Sequence, residues 1–204
     1  MNYIAKSGHK YIMFFGVLML LAFGFDMFKL FFVAVFIVSL LFFRGKISKP
    51  LLSDPLAIIS PIDGKILEIG SSDFDGKKCT RVVIQKSVCG VGVLYSPCEA
   101  KITEFRQRHG LFLCLKLKQA LSLNEKAIYY FSKDEHKIAM RVIAGPLSRE
   151  LSLENPQSVN LGDELGFLGS GQVMLFLPND AKICVGVGEN LLSLSTLGYL
   201  NKKR

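Results

Sequence analysis

Few residues in this chain have the type and spacing to do chemistry. Ser170 sits between Gly169 and Gly171, within the run Leu165-Gly166-Phe167-Leu168-Gly169-Ser170-Gly171-Gln172. This places a hydroxyl nucleophile between two residues whose backbones tolerate strained turns, although alone the triplet reads equally as a flexible loop. It is not a nucleophile elbow, because the first glycine is missing and no strand-to-helix pattern follows. Ser60-Pro61-Ile62-Asp63-Gly64-Lys65-Ile66 supplies a carboxylate, and Asp63-Gly64 by itself reads as a hairpin turn. Gly186-Val187-Gly188 is not followed by a helix pattern, and no glycine-rich loop ends in Lys-Ser or Lys-Thr, so nucleotide binding finds no support. His9, His109 and His136 lack ligand spacing, which argues against a metal site. The five cysteines (79, 89, 98, 114, 184) form no Cys-x-x-Cys pair and read as reduced, mostly buried thiols.

The elements that must position Ser170 and Asp63 are short strands. The chain has 204 residues, half of them hydrophobic and 21% charged. That excludes a disordered chain and suits one domain with a small appendage. Lys49–Pro50 through Asp54–Pro55 reads as a linker, dividing an anchor (residues 1–50) from a β-rich domain (residues 51–204). Strand patterns follow at 57–59, 65–69, 81–85, 91–95, 101–105, 112–118, 127–131, 137–143, 173–177 and 182–187. Alternation is clearest in Phe112–Lys118. Turn residues gather at Asp73–Lys77, Lys133–Glu135, Asn160–Asp163 and Asn179–Asp180. Pro146–Leu151 is the best short helical stretch. The expected fold is mainly β, a sandwich or barrel-like body preceded by a helical membrane hairpin.

The hairpin rests on residues 11–43, which are nearly all apolar except for Asp26 and Lys29. One helix of that length would run about 50 Å, too long for a hydrocarbon core of roughly 30 Å. Two arms meeting at a polar tip over Asp26–Lys29 fit better, either spanning or re-entrant. Lys6 and Lys10 precede the arms; Arg44, Lys46 and Lys49 follow them, which puts both ends on the cytoplasmic side. Residues 51–201 hold 16 cations and 16 anions, so the net charge of +8 lies in the N-terminal flank and in Lys202, Lys203 and Arg204. This distribution favours an anionic membrane surface over nucleic acid.

With these segments in order, the chain resembles the phosphatidylserine decarboxylase family of pyruvoyl-dependent enzymes. The apolar segment ending Phe42-Phe43-Arg44 looks like the family's anchor. Pro61-x-Asp63-Gly64 follows at a similar distance. Asn124-Glu125-Lys126 resembles Asn-Glu-Arg, and Ile143-Ala144-Gly145 with Arg149 resembles Ile-Ala-Gly-x-x-Ala-Arg. Gly169-Ser170 occupies the family's processing site. The resemblance implies that the chain cuts itself there. The Ser170 hydroxyl attacks the Gly169 carbonyl to give an ester; elimination and hydrolysis then leave a pyruvoyl group at residue 170. That group is the implied cofactor, an electron sink for loss of CO2 from a membrane phospholipid substrate. Asp63 is the implied aspartate of processing. The assembly the resemblance implies is a homodimer or a heterodimer of the two cleaved chains.

The chain also departs from the family. Aligned on Pro97, Gly92 and Tyr95 stand where family histidines stand. Gly171 replaces the threonine or arginine after the serine, and the Gly162–Gly169 segment is about two residues short. The alternative expectation is therefore a processing-deficient, lipid-binding or regulatory relative. A lipoyl-like carrier is a more distant one, since Met140-Arg141 offers no lysine in a turn.

Overall fold

The structure is a computed structural model that describes residues 8–24, 29–42, 54–87, 90–148 and 151–201. Asp26, Met27 and Phe28 of the expected tip, Phe43-Arg44, most of the linker, Arg149 and the basic tail lie outside these. Two helices open the chain, α1 (His9–Gly24) and α2 (Lys29–Phe42). They pack on each other, with Gly16 against the Phe36 ring. At 1.5 Å per residue they measure about 24 and 21 Å, and among the described residues no helix is long and apolar enough to cross a membrane. Their outer faces still expose Met13, Phe14, Leu20, Leu30, Phe31 and Val38.

The body is antiparallel β. In chain order its elements are β1 (Ala57–Ile59), β2 (Gly64–Phe74), β3 (Lys77–Lys86), β4 (Val93–Tyr95), β5 (Ala100–Arg108), α3 (Ala120–Leu123), β6 (Lys126–Lys133) and β7 (His136–Ala144). Then come β8 (Ser152–Leu153), β9 (Ser158–Val159), β10 (Glu164–Phe167), β11 (Gly171–Pro178), β12 (Lys182–Ile183), β13 (Asn190–Leu191) and β14 (Thr196–Tyr199). Eight strands form the main sheet in the order β13-β2-β3-β11-β7-β6-β5-β9; β1-β14-β12 and β4-β10-β8 form two smaller sheets. One face of the main sheet presents Ile66, Val82, Ile84, Met140, Val142, Val173 and Leu175, which pack with Ile58, Leu94, Leu165 and Leu197 from the small sheets. The result is sandwich-like. The opposite face buries Val83, Ile143, Met174 and Phe176 beneath Phe74, Leu115 and Tyr130. The β2–β3 hairpin turns at Asp75-Gly76, both with positive φ (50° and 72°), the pairing that matches strand twist.

Four expectations need correction. Phe112–Lys118 is not a strand; its alternation serves a loop, because the Asn124 side chain takes the place of a partner strand. Its Nδ2 donates to the Leu113 carbonyl (2.8 Å) and its Oδ1 accepts the Leu113 N–H (2.9 Å). The described part of Pro146–Leu151 is a turn rather than a helix, and 182–187 shrinks to the two residues of β12. Among the described residues the thiols divide evenly rather than being mostly buried: Cys79 and Cys98 are buried, Cys114 and Cys184 are exposed, and Cys89 lies outside the described residues. Burial pushes the Cys98 thiol up to about 12, so little reactive thiolate forms there. At pH 8 a maleimide is expected to label Cys114 and Cys184 in the folded chain and to reach Cys98 only in denaturant. Peptide mass mapping checks this.

Candidate active site

Ser170 lies in the connection from β10 to β11, where β11 passes beside the end of β7. The register pairs Gly171 with Ala144. Gly171 has φ +146°, and a Cβ there would sit 2.2 Å from the Ile143 carbonyl oxygen. Only glycine lets the chain enter β11 at this point. Beyond Ala144 the chain turns back, with the Ser148 N–H donating to the Gly145 carbonyl (3.0 Å), and closes over Ser170.

That turn grips Ser170 at every polar atom except its hydroxyl proton. The Ser170 N–H donates to Ser148 Oγ (2.9 Å), and Ser148 Oγ donates to the Ser170 carbonyl (2.8 Å). The Gly145 N–H donates to the same carbonyl (2.8 Å). The Leu147 N–H donates to Ser170 Oγ (2.8 Å), leaving the hydroxyl proton to point elsewhere. Ser170 is 8% exposed and Ser148 3%. Hydrogen bonds in such a shielded setting hold geometry tightly. The neighbouring Gly171 carbonyl accepts from Gln85 Nε2 (2.9 Å).

Asp63 precedes β2 and is 7% exposed. Its carboxylate accepts the Val91 N–H (2.8 Å) and the Ser193 N–H (2.6 Å), joining three distant segments. The Ser87 N–H donates to its backbone carbonyl. Since Gly64 pairs with Lys86 and Gln172 with Gln85, continuing the register puts Asp63 and Ser170 on either side of Ser87. They share one end of the sheet, Asp63 leading into β2 and Ser170 into β11 with β3 between these strands.

The two positions where family histidines were expected are filled differently. A Cβ on Gly92 would fall 2.3 and 2.4 Å from atoms of the Phe167 ring. That ring packs with Ile59, Val91, Val93, Tyr95 and Leu194, so Tyr95 is buried in an apolar cluster. His109 sits at the end of β5 with Nδ1 3.3 Å from Glu125 Oε1. His136 opens β7, at the end away from Gly145.

Two residues here, Ser148 and Lys86, and the bracing role of a third, Asn124, were not evident in the sequence. Ser148 stands where the family stretch has alanine, and only its place in that stretch signals it. Asn124 belongs to a recognised motif; it also donates to the Ala144 carbonyl (2.7 Å), bracing the strand end that feeds the Ser170 turn. Lys86 is buried and its Nζ donates to the carbonyls of Ser87 (2.8 Å) and Gly90 (3.1 Å). The signal for Lys86 was parity, since Val82, Ile84 and residue 86 face the same core. Among the described residues no group of three His, Cys, Asp or Glu side chains forms a metal cage.

The phosphatidylserine decarboxylase family model matches residues 36–198. Curated relatives carry the name phosphatidylserine decarboxylase proenzyme. The Syntrophus aciditrophicus protein is 30% identical over 203 residues, covering 93% of each chain. The Prosthecochloris aestuarii protein is 31% identical over 74% of this chain and 71% of its own. The Porphyromonas gingivalis protein is 28% identical over 80% and 77%. No solved structure matches significantly. The motif order, the sandwich that delivers Ser170 to a gripping turn, and a match over most of the length agree: the chain belongs to the phosphatidylserine decarboxylase family.

Proposed function

We propose that the chain makes its own prosthetic group by cutting the Gly169–Ser170 bond, and that it works at a membrane. The activity is that of its family, a carboxy-lyase that removes CO2 from phosphatidylserine. The observation that carries the proposal is the grip on Ser170. In the cut, Ser170 Oγ attacks the Gly169 carbonyl carbon, the bond to the Ser170 nitrogen breaks, and the proton lost by Oγ ends on that nitrogen. The Leu147 N–H fixes Oγ; Ser148 Oγ, 2.9 Å from the nitrogen, holds it and can hand it a proton. Elimination then frees the Gly169 carboxylate, and hydrolysis releases ammonia.

A pyruvoyl group at 170 supplies an electron sink for the bond broken in CO2 loss. The residues present fit it. The carbonyl of residue 170 already receives two donors, Gly145 N–H and Ser148 O–H. Paired donors of this kind stabilise an oxygen that gains negative charge. Asp63 holds the 91 and 193 segments against the same sheet end. The apolar outer faces of α1 and α2 support insertion into one leaflet, and the basic residues around them support a cytoplasmic orientation.

Intact mass and CO2 release from phosphatidylserine vesicles test the reading. Two chains, the second beginning at residue 170 with a ketone, are expected together with turnover. A lasting single chain of 22.7 kDa without turnover would leave the processing-deficient alternative. Ser148→Ala is expected to slow self-cleavage about a hundredfold, the scale of losing one positioned proton donor. Ser148→Thr should restore most of the rate in a time course followed by gel.

A further inference from the structure

We infer that the loop between β5 and β6 is a second membrane-docking element, separate from the helical pair, and that it seats the Ser170 end of the sandwich on an anionic lipid surface. This rests on the proposed function for its purpose but not for its test. The loop runs from Leu111 to Asn124 and closes on itself: the Leu111 N–H donates to the Leu123 carbonyl, and the Glu125 N–H donates back to the Leu111 carbonyl (both 2.9 Å). It is thus a compact Ω-shaped excursion with its own internal packing. Phe112 and Leu115 turn inward onto the two cores, and Ala120 is fully buried.

The outward residues are what a soluble loop would avoid. Leu111, Leu117, Leu121 and Leu123 are each about half exposed (52, 49, 44 and 49%). Lys116 and Lys118 flank Leu117, are exposed, and form no ion pair among the described residues. From Arg108 to Asn124 the sequence holds no Asp or Glu. Exposed leucines interleaved with unopposed lysines suit the interface of a bilayer rich in anionic headgroups, where acyl chains take the former and phosphates the latter. A protein groove would meet the leucines but leave the lysines without counter-charge.

The loop is also close to the chemistry. Asn124 Nδ2 donates to the Ala144 carbonyl, and the next residue, Gly145, donates to the Ser170 carbonyl. Leu147, whose N–H holds Ser170 Oγ, is itself 54% exposed on that side. Seating the loop on lipid would bring the Ser170 turn down to headgroup level.

The chain has no tryptophan, so one introduced residue reports alone. In the full chain on vesicles containing brominated phosphatidylglycerol, Leu117→Trp is expected to shift its emission to the blue and to be quenched. Lys137→Trp, exposed on β7 roughly 20 Å toward the other end of that strand, is expected to stay solvent-like and so to show that the helical pair alone does not explain the signal. Adding Lys116→Glu and Lys118→Glu should weaken the Leu117→Trp signal tenfold or more, on the order expected for charges at an anionic surface. Unchanged emission from Leu117→Trp on vesicles that bind the chain would overturn the inference. So would equal quenching on pure brominated phosphatidylcholine, or a lipid-free blue shift that grows with protein concentration, which would assign the loop to a second copy. Repeating the measurement on the Ser170→Ala chain separates this result from any failure of self-cleavage.

Discussion

Replacing Ser170 with alanine is expected to leave one chain of 22.7 kDa and to abolish decarboxylation, whereas the unaltered chain is expected to yield a fragment ending at Gly169 and a 35-residue fragment, 170–204. The substitution removes only Oγ. The Ser170 N–H and carbonyl keep their bonds to Ser148 and Gly145, and the loss is one acceptor for the Leu147 N–H. That costs about 1–3 kcal/mol, and the sandwich core is untouched. A folded, uncut protein is therefore the expected product, verified by intact mass and by an unchanged circular dichroism spectrum. Cleavage at the same bond in the alanine chain would mean that another group is the nucleophile.

Gly92→Ala is expected to be a strongly destabilising conservative change near the site. Its methyl would lie 2.3 Å from the Phe167 ring. The ring is confined by Val91, Val93, Tyr95 and Leu194 and has little room to swing. Overpacking of this kind costs about 1–3 kcal/mol, a melting temperature roughly 5 °C lower for a domain of this size. Phe167→Ala in the same chain should recover part of the loss, since it vacates the space. If calorimetry shows the two substitutions to be simply additive, the clash is not the cause. In this chain the space beside residue 92 belongs to an aromatic ring, and a histidine there requires a smaller residue at 167. Gly92→His combined with Phe167→Ala is expected to cleave faster than Phe167→Ala alone, because a base adds about 10²–10⁴-fold where it reaches the proton.

The legible parts of the fold were those set by local chemistry. Asp75-Gly76 marked its hairpin, and the apolar parity of Arg81–Gln85 and Lys137–Ile143 marked two central strands. Thr196–Tyr199 did not show, because four residues with a glycine among them carry no period; β14 exists through its partners β1 and β12. Phe112–Lys118 misled for the opposite reason. It has a strand's alternation, but an asparagine side chain supplies its pairing, and its second face meets solvent. In the site, Gly169-Ser170 and Asp63 stood out as motifs. The roles of Ser148 and Phe167 depend on contacts across 22 and 75 positions of sequence, beyond what spacing can convey.

The position of β11 has a consequence for what a cut at residue 169 would leave. β11 lies between β3 and β7 in the middle of the eight-stranded sheet, β13 edges β2, and β14 lies between β1 and β12. The short product is thus woven through all but one of the layers of its parent. Severing the backbone would create two polypeptides but no separable pieces. Dilution would not part them, and releasing the smaller one would require melting the whole body. The new terminus would stay sewn in place, as immobile as the bond it replaced.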